Sequence, residues 1–223
     1  MLIDIIKNAI KQIKIILSSK FYWYCTIISL IIMVWLLLAY LPFDTTYRLL
    51  SFTVGPIFVY ALFFGVSVVC LYLSEGLKKI YDKTRLYTIQ EYFGRTLGFV
   101  FIIIFLLFPF LPLAILVCST GSLTFVQLFH LLPLLILNGI GFAWLGLFLK
   151  ASFKSDNRQY ASLVVQILWV IVLISSYLRS NHSLYIHPFL IYFLFILSAS
   201  LFITLLYRSY RHSKVTGVDS RGK

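Results

Sequence analysis

The chain has 223 residues, 61% of them hydrophobic and 12% charged, with a mean hydropathy of +0.97. A soluble domain carries about 25% charged residues to cover its outside, so a soluble globular fold is excluded and long apolar runs must face lipid. The net charge of +12 is not a nucleic-acid footprint, because the basic residues sit in short clusters between apolar runs, as membrane topology requires.

Residues 2–20 come first. Ile6, Ile10, Ile13 and Leu17 share one helical face, and Lys7, Lys11, Lys14 and Ser18 repeat the same spacing one residue along. This periodicity predicts an amphipathic helix at 1–20, basic on its polar side and lying in the lipid interface. A cleaved signal sequence is the competing reading. The apolar run Tyr24–Tyr40 that follows has no small-residue cleavage site and is too long for a signal core.

Six apolar segments follow, each near the roughly 20 residues needed to cross about 30 Å of hydrocarbon. They fall at about Phe21–Leu41, Leu50–Leu73, Thr96–Val117, Phe125–Leu149, Tyr160–Leu178 and Pro188–Tyr207. The aromatic cluster Phe21–Tyr24 opens the first at an interface. Pro56 stands near the start of the second, and Pro109 and Pro112 interrupt the far end of the third. The tail Arg208–Lys223 is polar and expected to be disordered. The fold class expected is therefore an all-α membrane protein of six transmembrane helices.

Six spans place both termini on one side, and basic residues choose that side. Seventeen of the nineteen Lys and Arg fall on one face of the six-span arrangement, leaving only Arg48 and Arg179 for the other. Both termini are thus expected in the cytoplasm of a cell-membrane protein. So is the long polar loop 74–95, SEGLKKIYDKTRLYTIQEYFGR, which carries Lys78, Lys79, Lys83, Arg85 and Arg95. The outer connections Pro42–Leu49, Cys118–Thr124 and Arg179–His187 are short, so no external domain is expected to capture a ligand. PIFVYALFFG in the second span and PLLILNGIG in the fourth echo one another too faintly to mark inverted halves.

Carriers driven by protons or sodium place ionisable residues within the bilayer, and the span interiors hold no Asp, Glu, Lys or Arg. His130 lies near an interface. Cys25, Cys70 and Cys118 lie inside apolar segments with no CxxC or Cys/His spacing, so neither disulfides nor a metal are indicated. The sequence has no intramembrane Ser/His, paired-Asp or His-rich zinc motif. Arg179, His182 and His187 form a small outer cluster that lacks a partner carboxylate. Asn138 and Gln166 are amide side chains well inside spans. Asn138 precedes Gly139, Gly141, Ala143 and Gly146, a small-residue patch that lets helices approach closely. Ser162, Gln166 and Trp169 share a face of the fifth span. Asn138, Gln166 and Trp169 therefore mark either hydrogen-bonded helix packing or a mildly polar pathway and subunit interface. No Walker A loop occurs, so energy for any driven transport must come from another subunit.

In loop 74–95, Gly76 permits a tight reversal at a helix end. Thr88-Ile89-Gln90-Glu91 matches a capping box, so a new helix is expected to start near Thr88. Between them, Leu77, Ile80 and Tyr81 can form a small apolar patch for a partner groove.

With Glu75-Gly76, Ile80-Tyr81 and Glu91-Tyr92-Phe93-Gly94-Arg95 so placed, the chain resembles the membrane subunits of ABC-2-type ATP-binding cassette exporters over nearly its whole length. In that family the first cytoplasmic loop is the longest and carries a coupling helix that docks into a separate ATPase. Its pattern runs from an acidic residue and glycine, through a leucine-rich turn and often a proline, to Gly-Arg or Gly-Lys at the third span. Thr84-Arg85-Leu86 stands here where the proline would be. The resemblance implies a permease subunit rather than an enzyme. It would export a hydrophobic or amphipathic substrate such as a bacteriocin peptide, a lipid or a drug.

The ATPase-coupling residues implied are Glu75, Gly76, Leu77, Ile80, Tyr81, Arg85, Glu91, Gly94 and Arg95. A second cytoplasmic contact would use Lys154, Asp156 and Arg158. Partners implied are an ABC ATPase, a second identical or related permease subunit and membrane lipids, without nucleic acid. No cofactor is expected in this chain, and ATP and Mg2+ would belong to the partner. A haem-export-type permease, a non-transport membrane scaffold and a small integral-membrane enzyme are the alternatives.

Overall fold

The structure is a computed structural model that describes residues 44–75, 88–107, 114, 124–153, 155–179 and 188–215. It also describes thirteen separate positions between Ile3 and Ile31. Five helices are defined: α1 Asp44–Glu75, α2 Ile89–Leu107, α3 Phe125–Ser152, α4 Ser155–Arg179 and α5 Pro188–Val215. No strand occurs among the described residues. Three helical stretches, Phe125–Ser152, Asn157–Ser176 and Pro188–His212, are long and apolar enough to cross a membrane, and Phe58–Ser74 is a shorter apolar helix.

The helices outrun the apolar segments that announce them. At 1.5 Å per residue, the 32 residues of α1 reach ~48 Å and the 28 of α3 and of α5 ~42 Å. Helical backbone does not stop where hydrocarbon does. Asp44–Leu49, expected in an outer connection, is already α1, and Pro56 lies in that helix's interior rather than its first turn. Arg208–Val215, expected to be disordered, continues α5. RSYRHSKV contains no Gly or Pro to end a helix, and Ser209 is buried. The helix that holds the third expected span begins earlier than its apolar run, because α2 starts at Ile89 on its cap.

Recurrent contacts fix the helix directions. Phe63 meets Asn138, Val66 approaches Gly139, and Leu71 and Ser74 approach Gly146, so α1 and α3 run parallel in nearly constant register. Ser198 approaches Gly141 and Phe202 stacks on Trp144, so α5 is parallel to them. Ile103 reaches Gly139 while Thr96 bonds Trp144, which makes α2 antiparallel to α3. Tyr60 on α1 reaches Ser176 near the end of α4, and Trp169 packs on Phe142, which makes α4 antiparallel too. Successive helices therefore alternate in direction. We call the end where α1, α3 and α5 begin the starting end and the opposite one the finishing end.

The hub is α3. Its small residues let three neighbours approach its backbone, α1 and α2 at Gly139, α5 at Gly141 and α1 again at Gly146. The main core runs through Phe58, Phe63, Cys70, Phe99, Ile103 and Phe142, all buried. By contrast α4 buries only a stripe through Ser162, Trp169 and Leu173, while Leu163, Ile167, Ile171, Ile174 and Leu178 are each half or more exposed. A helix apolar on its uncovered face is suited to lipid rather than water.

At the N-terminus the described positions from Ile3 to Lys14 are helical, and Ser18 N–H donates to the Lys14 carbonyl at 3.0 Å. Ala9 is buried, whereas Ile6 and Ile10 are exposed along with Lys7, Lys11 and Lys14. Ile13 and Leu17, the rest of the expected apolar stripe, lie outside the described residues. Tyr24, Ile27 and Ile31, helical and exposed, also share one face. Trp23 is helical and exposed as well, and the remainder of the first expected span lies outside the described residues.

Candidate functional site

Loop 74–95 leaves the bundle from the end of α1 and returns through α2, and its return is built in detail. Thr88 Oγ1 accepts from the Glu91 N–H at 3.3 Å, and a Glu91 carboxylate oxygen accepts from the Thr88 N–H at 2.9 Å. The Thr88 carbonyl then accepts the first helical bond, from the Tyr92 N–H at 3.0 Å. This is the reciprocal capping box that the sequence predicts, and it satisfies donors that a bare helix start would leave open. Glu91, expected at a partner contact, thus has a local role as well, because its carboxylate fixes where α2 begins.

One turn on, α2 is held against two other helices. Tyr92 is fully buried and meets the Phe202 ring edge-on at 5.8 Å, with Phe93 edge-on to the same ring at 6.3 Å. Phe202 stacks on Trp144 at 4.8 Å with the planes 10° apart, and Trp144 also touches Phe195 at 5.2 Å. The Trp144 indole N–H donates to Thr96 Oγ1 at 3.0 Å, and the Thr96 hydroxyl donates to the Tyr92 carbonyl at 3.0 Å. Leu147 and Leu205 complete this second core. The first two turns of α2 are therefore coupled to α3 and α5 by stacked rings and a directional polar chain. A shift of Thr88 along the axis must disturb both.

Gly94 is buried and Arg95 half-buried within those turns. Glu75 is the last residue of α1. Gly76, Leu77, Ile80, Tyr81 and Arg85 lie outside the described residues, so only the two ends of the expected coupling surface are described. Of the second expected contact, Asp156 and Arg158 lie in the first turn of α4, with Arg158 half-buried, and Lys154 is outside the described residues. The α3–α4 connection lies at the finishing end, where loop 74–95 also leaves and returns. Lys150, in the last turn of α3, is buried there. A cation at a helix C-terminus is favoured by the helix dipole.

The polar residues singled out inside the helices face into the bundle. Asn138 is fully buried, and its Nδ2 donates to the Phe63 carbonyl at 3.0 Å, joining α3 to α1. The same carbonyl accepts from Ser67 Oγ at 2.6 Å. Ser162 and Trp169 are buried and Gln166 is half-buried, so the face predicted for α4 is the one that packs inward. Trp169 lies against Phe142 at 5.3 Å. Asn138 Oδ1 and Trp169 Nε1 have no hydrogen-bond partner among the described residues.

Trp144 and Thr96 carry the inner joint, and neither belongs to a motif singled out from the sequence. The available signal was a single Trp set between Gly141 and Gly146, where the small-residue patch brings neighbours within reach of an indole. A second capping box was equally legible. Thr124 and Gln127 reproduce at the start of α3 the reciprocal bonds that Thr88 and Glu91 make at α2. Among the described residues there is no group of His, Cys, Asp and Glu arranged to hold a metal. The outer cluster of Arg179, His182 and His187 is described only at the backbone of Arg179, which ends α4.

No protein-family model, curated protein or solved structure matches this chain.

Proposed function

We propose that the protein is the membrane-spanning permease subunit of an ATP-driven exporter of the ABC-2 type. In this reading six spans cross the cell membrane with both termini in the cytoplasm. The finishing end of the bundle faces the cytoplasm, where a separate ATPase docks on loop 74–95. The observation that carries the proposal is the build of that loop's return: a capped helix start fastened by Tyr92, Thr96 and Trp144 to α3 and α5. Such a joint passes force applied to the loop into the bundle instead of dissipating it in a hinge. The charge distribution supports the same orientation. Arg48 and Arg179, the two basic residues set apart from the other seventeen, belong to the beginning of α1 and the end of α4, both at the starting end.

Two such subunits, identical or related, would enclose the pathway, and the apolar bundle favours a hydrophobic or amphipathic substrate. ATP and Mg2+ act in the partner. The test is affinity purification of the tagged chain from its native membrane, with the co-purifying proteins identified by mass spectrometry. A cassette ATPase at near-equal stoichiometry is the expected result. Its consistent absence from a preparation that retains other membrane partners overturns the reading.

A further inference from the structure

Between α1, α2 and α3, toward the starting end, lies a cavity of about 210 Å³. Its walls come from Phe58 and Leu62 on α1, Leu107 on α2, and Leu128, Leu132 and Leu135 on α3. Ala114 and Phe129 complete the described lining, which contains no polar residue. Burial is graded across it. Phe58, Leu62 and Leu135 at the floor are 5%, 5% and 3% exposed, whereas Phe129 at the rim is 72% exposed. The cavity is thus a pit partly open at this rim, not a sealed void. Its floor lies one turn from the Asn138–Phe63 hydrogen bond, below which α1, α2 and α3 close to direct contact around Gly139.

Water does not fill such a space, because a buried water needs two to four polar partners. A void left empty would forfeit the dispersion contacts of every wall atom. It is larger than the engineered apolar cavity of about 150 Å³ that takes up benzene. With the bundle placed in a membrane, the rim meets hydrocarbon, since the described helices expose large apolar side chains. We propose that the pit is a lipid site that takes the acyl chain of one membrane phospholipid from the leaflet at the starting end. The chain packs against Leu62 and Leu135 and sets the spacing of α1, α2 and α3 above the Asn138 joint. This inference rests on the membrane placement of the bundle and not on the exporter reading.

The test uses the full chain in phosphatidylcholine vesicles doped with a phosphatidylcholine bearing a diazirine on one acyl chain. After irradiation, labelled peptides are mapped by mass spectrometry. Labelling per residue over Leu128–Leu135 is expected to exceed that over the plainly exposed face of α4, Leu163–Leu178. It should be lost in Leu132→Trp and reduced in the milder Leu128→Phe, both of which fill the pit, while α4 labelling stays unchanged. Unaltered α4 labelling and a single elution peak show that each variant is folded. Leu163→Trp, on the exposed face, should leave the pit labelling intact. Labelling of α3 no denser than that of α4, or undiminished in both filled variants, overturns the proposal.

Discussion

A methyl group at Gly146 would fall on the Ser74 hydroxyl and within 2.9 Å of the Leu71 carbonyl oxygen. Backbone cannot step aside as a side-chain tip can, so Gly146→Ala must push α1 away from α3. We expect a loss of about 1–3 kcal/mol, read as a lower unfolding temperature in detergent. Gly65→Ala is the matched control, since nothing lies within 4 Å of its added carbon, and it should leave stability unchanged or slightly raised. If the two variants behave alike, the close approach at Gly146 is not what joins these helices. The two described tryptophans of the core make a second contrast. Trp144 donates to Thr96, so Trp144→Phe keeps the ring stack but forfeits a bond of about 0.5–1.5 kcal/mol. The Trp169 indole N–H has no such partner among the described residues, so Trp169→Phe removes a buried polar group and should cost less than Trp144→Phe by thermal unfolding. The reverse order would contradict the polar chain from Trp144 to Tyr92.

Helix α2 depends at its start on two side chains. Thr88→Ala removes the acceptor for the Glu91 N–H, and a lost N-cap costs typically ~1 kcal/mol. Because the Tyr92 amide makes the first helical bond, hydrogen exchange at Tyr92 and Phe93 should quicken in Thr88→Ala while amides deep in α3 keep their protection. Unchanged exchange at those positions would mean that the core around Phe202 alone holds the helix start. The Thr88 box and the small-residue patch of α3 were readable from sequence because each follows from local chemistry, a side chain reaching three residues along or a missing Cβ. Element ends were not readable in the same way. Hydropathy marks where side chains prefer hydrocarbon, whereas a helix ends where its backbone loses partners. Asp44–Leu49 and Arg208–Val215 are helical beyond the apolar runs for that reason. The Trp144–Thr96 bond joins residues 48 positions apart, and no spacing rule within one element could announce it.

In the molecule as a whole, the five helices defined among the described residues alternate in direction around α3, and the exporter reading turns their finishing end to the cytoplasm. That orientation has its own check. On a background with Cys25, Cys70 and Cys118 replaced by alanine, Asn181→Cys should react with a membrane-impermeant maleimide in intact cells, and Lys79→Cys should react only after permeabilisation. The opposite pattern inverts the topology and removes loop 74–95 from the ATPase's reach. The site itself was half legible. The residue types expected to face a partner run from Glu75 to Arg95, whereas the anchoring of α2 inside the bundle became visible only once α3 and α5 supplied Trp144 and Phe202. Docking of an ATPase on the loop is tested most sharply by deleting Leu77–Tyr81 and comparing the ATPase that co-purifies with that variant and with the intact chain, at equal membrane yield. The deletion is expected to abolish ATPase recovery while the bundle remains folded; full recovery despite it would show that the loop is not where the ATPase docks.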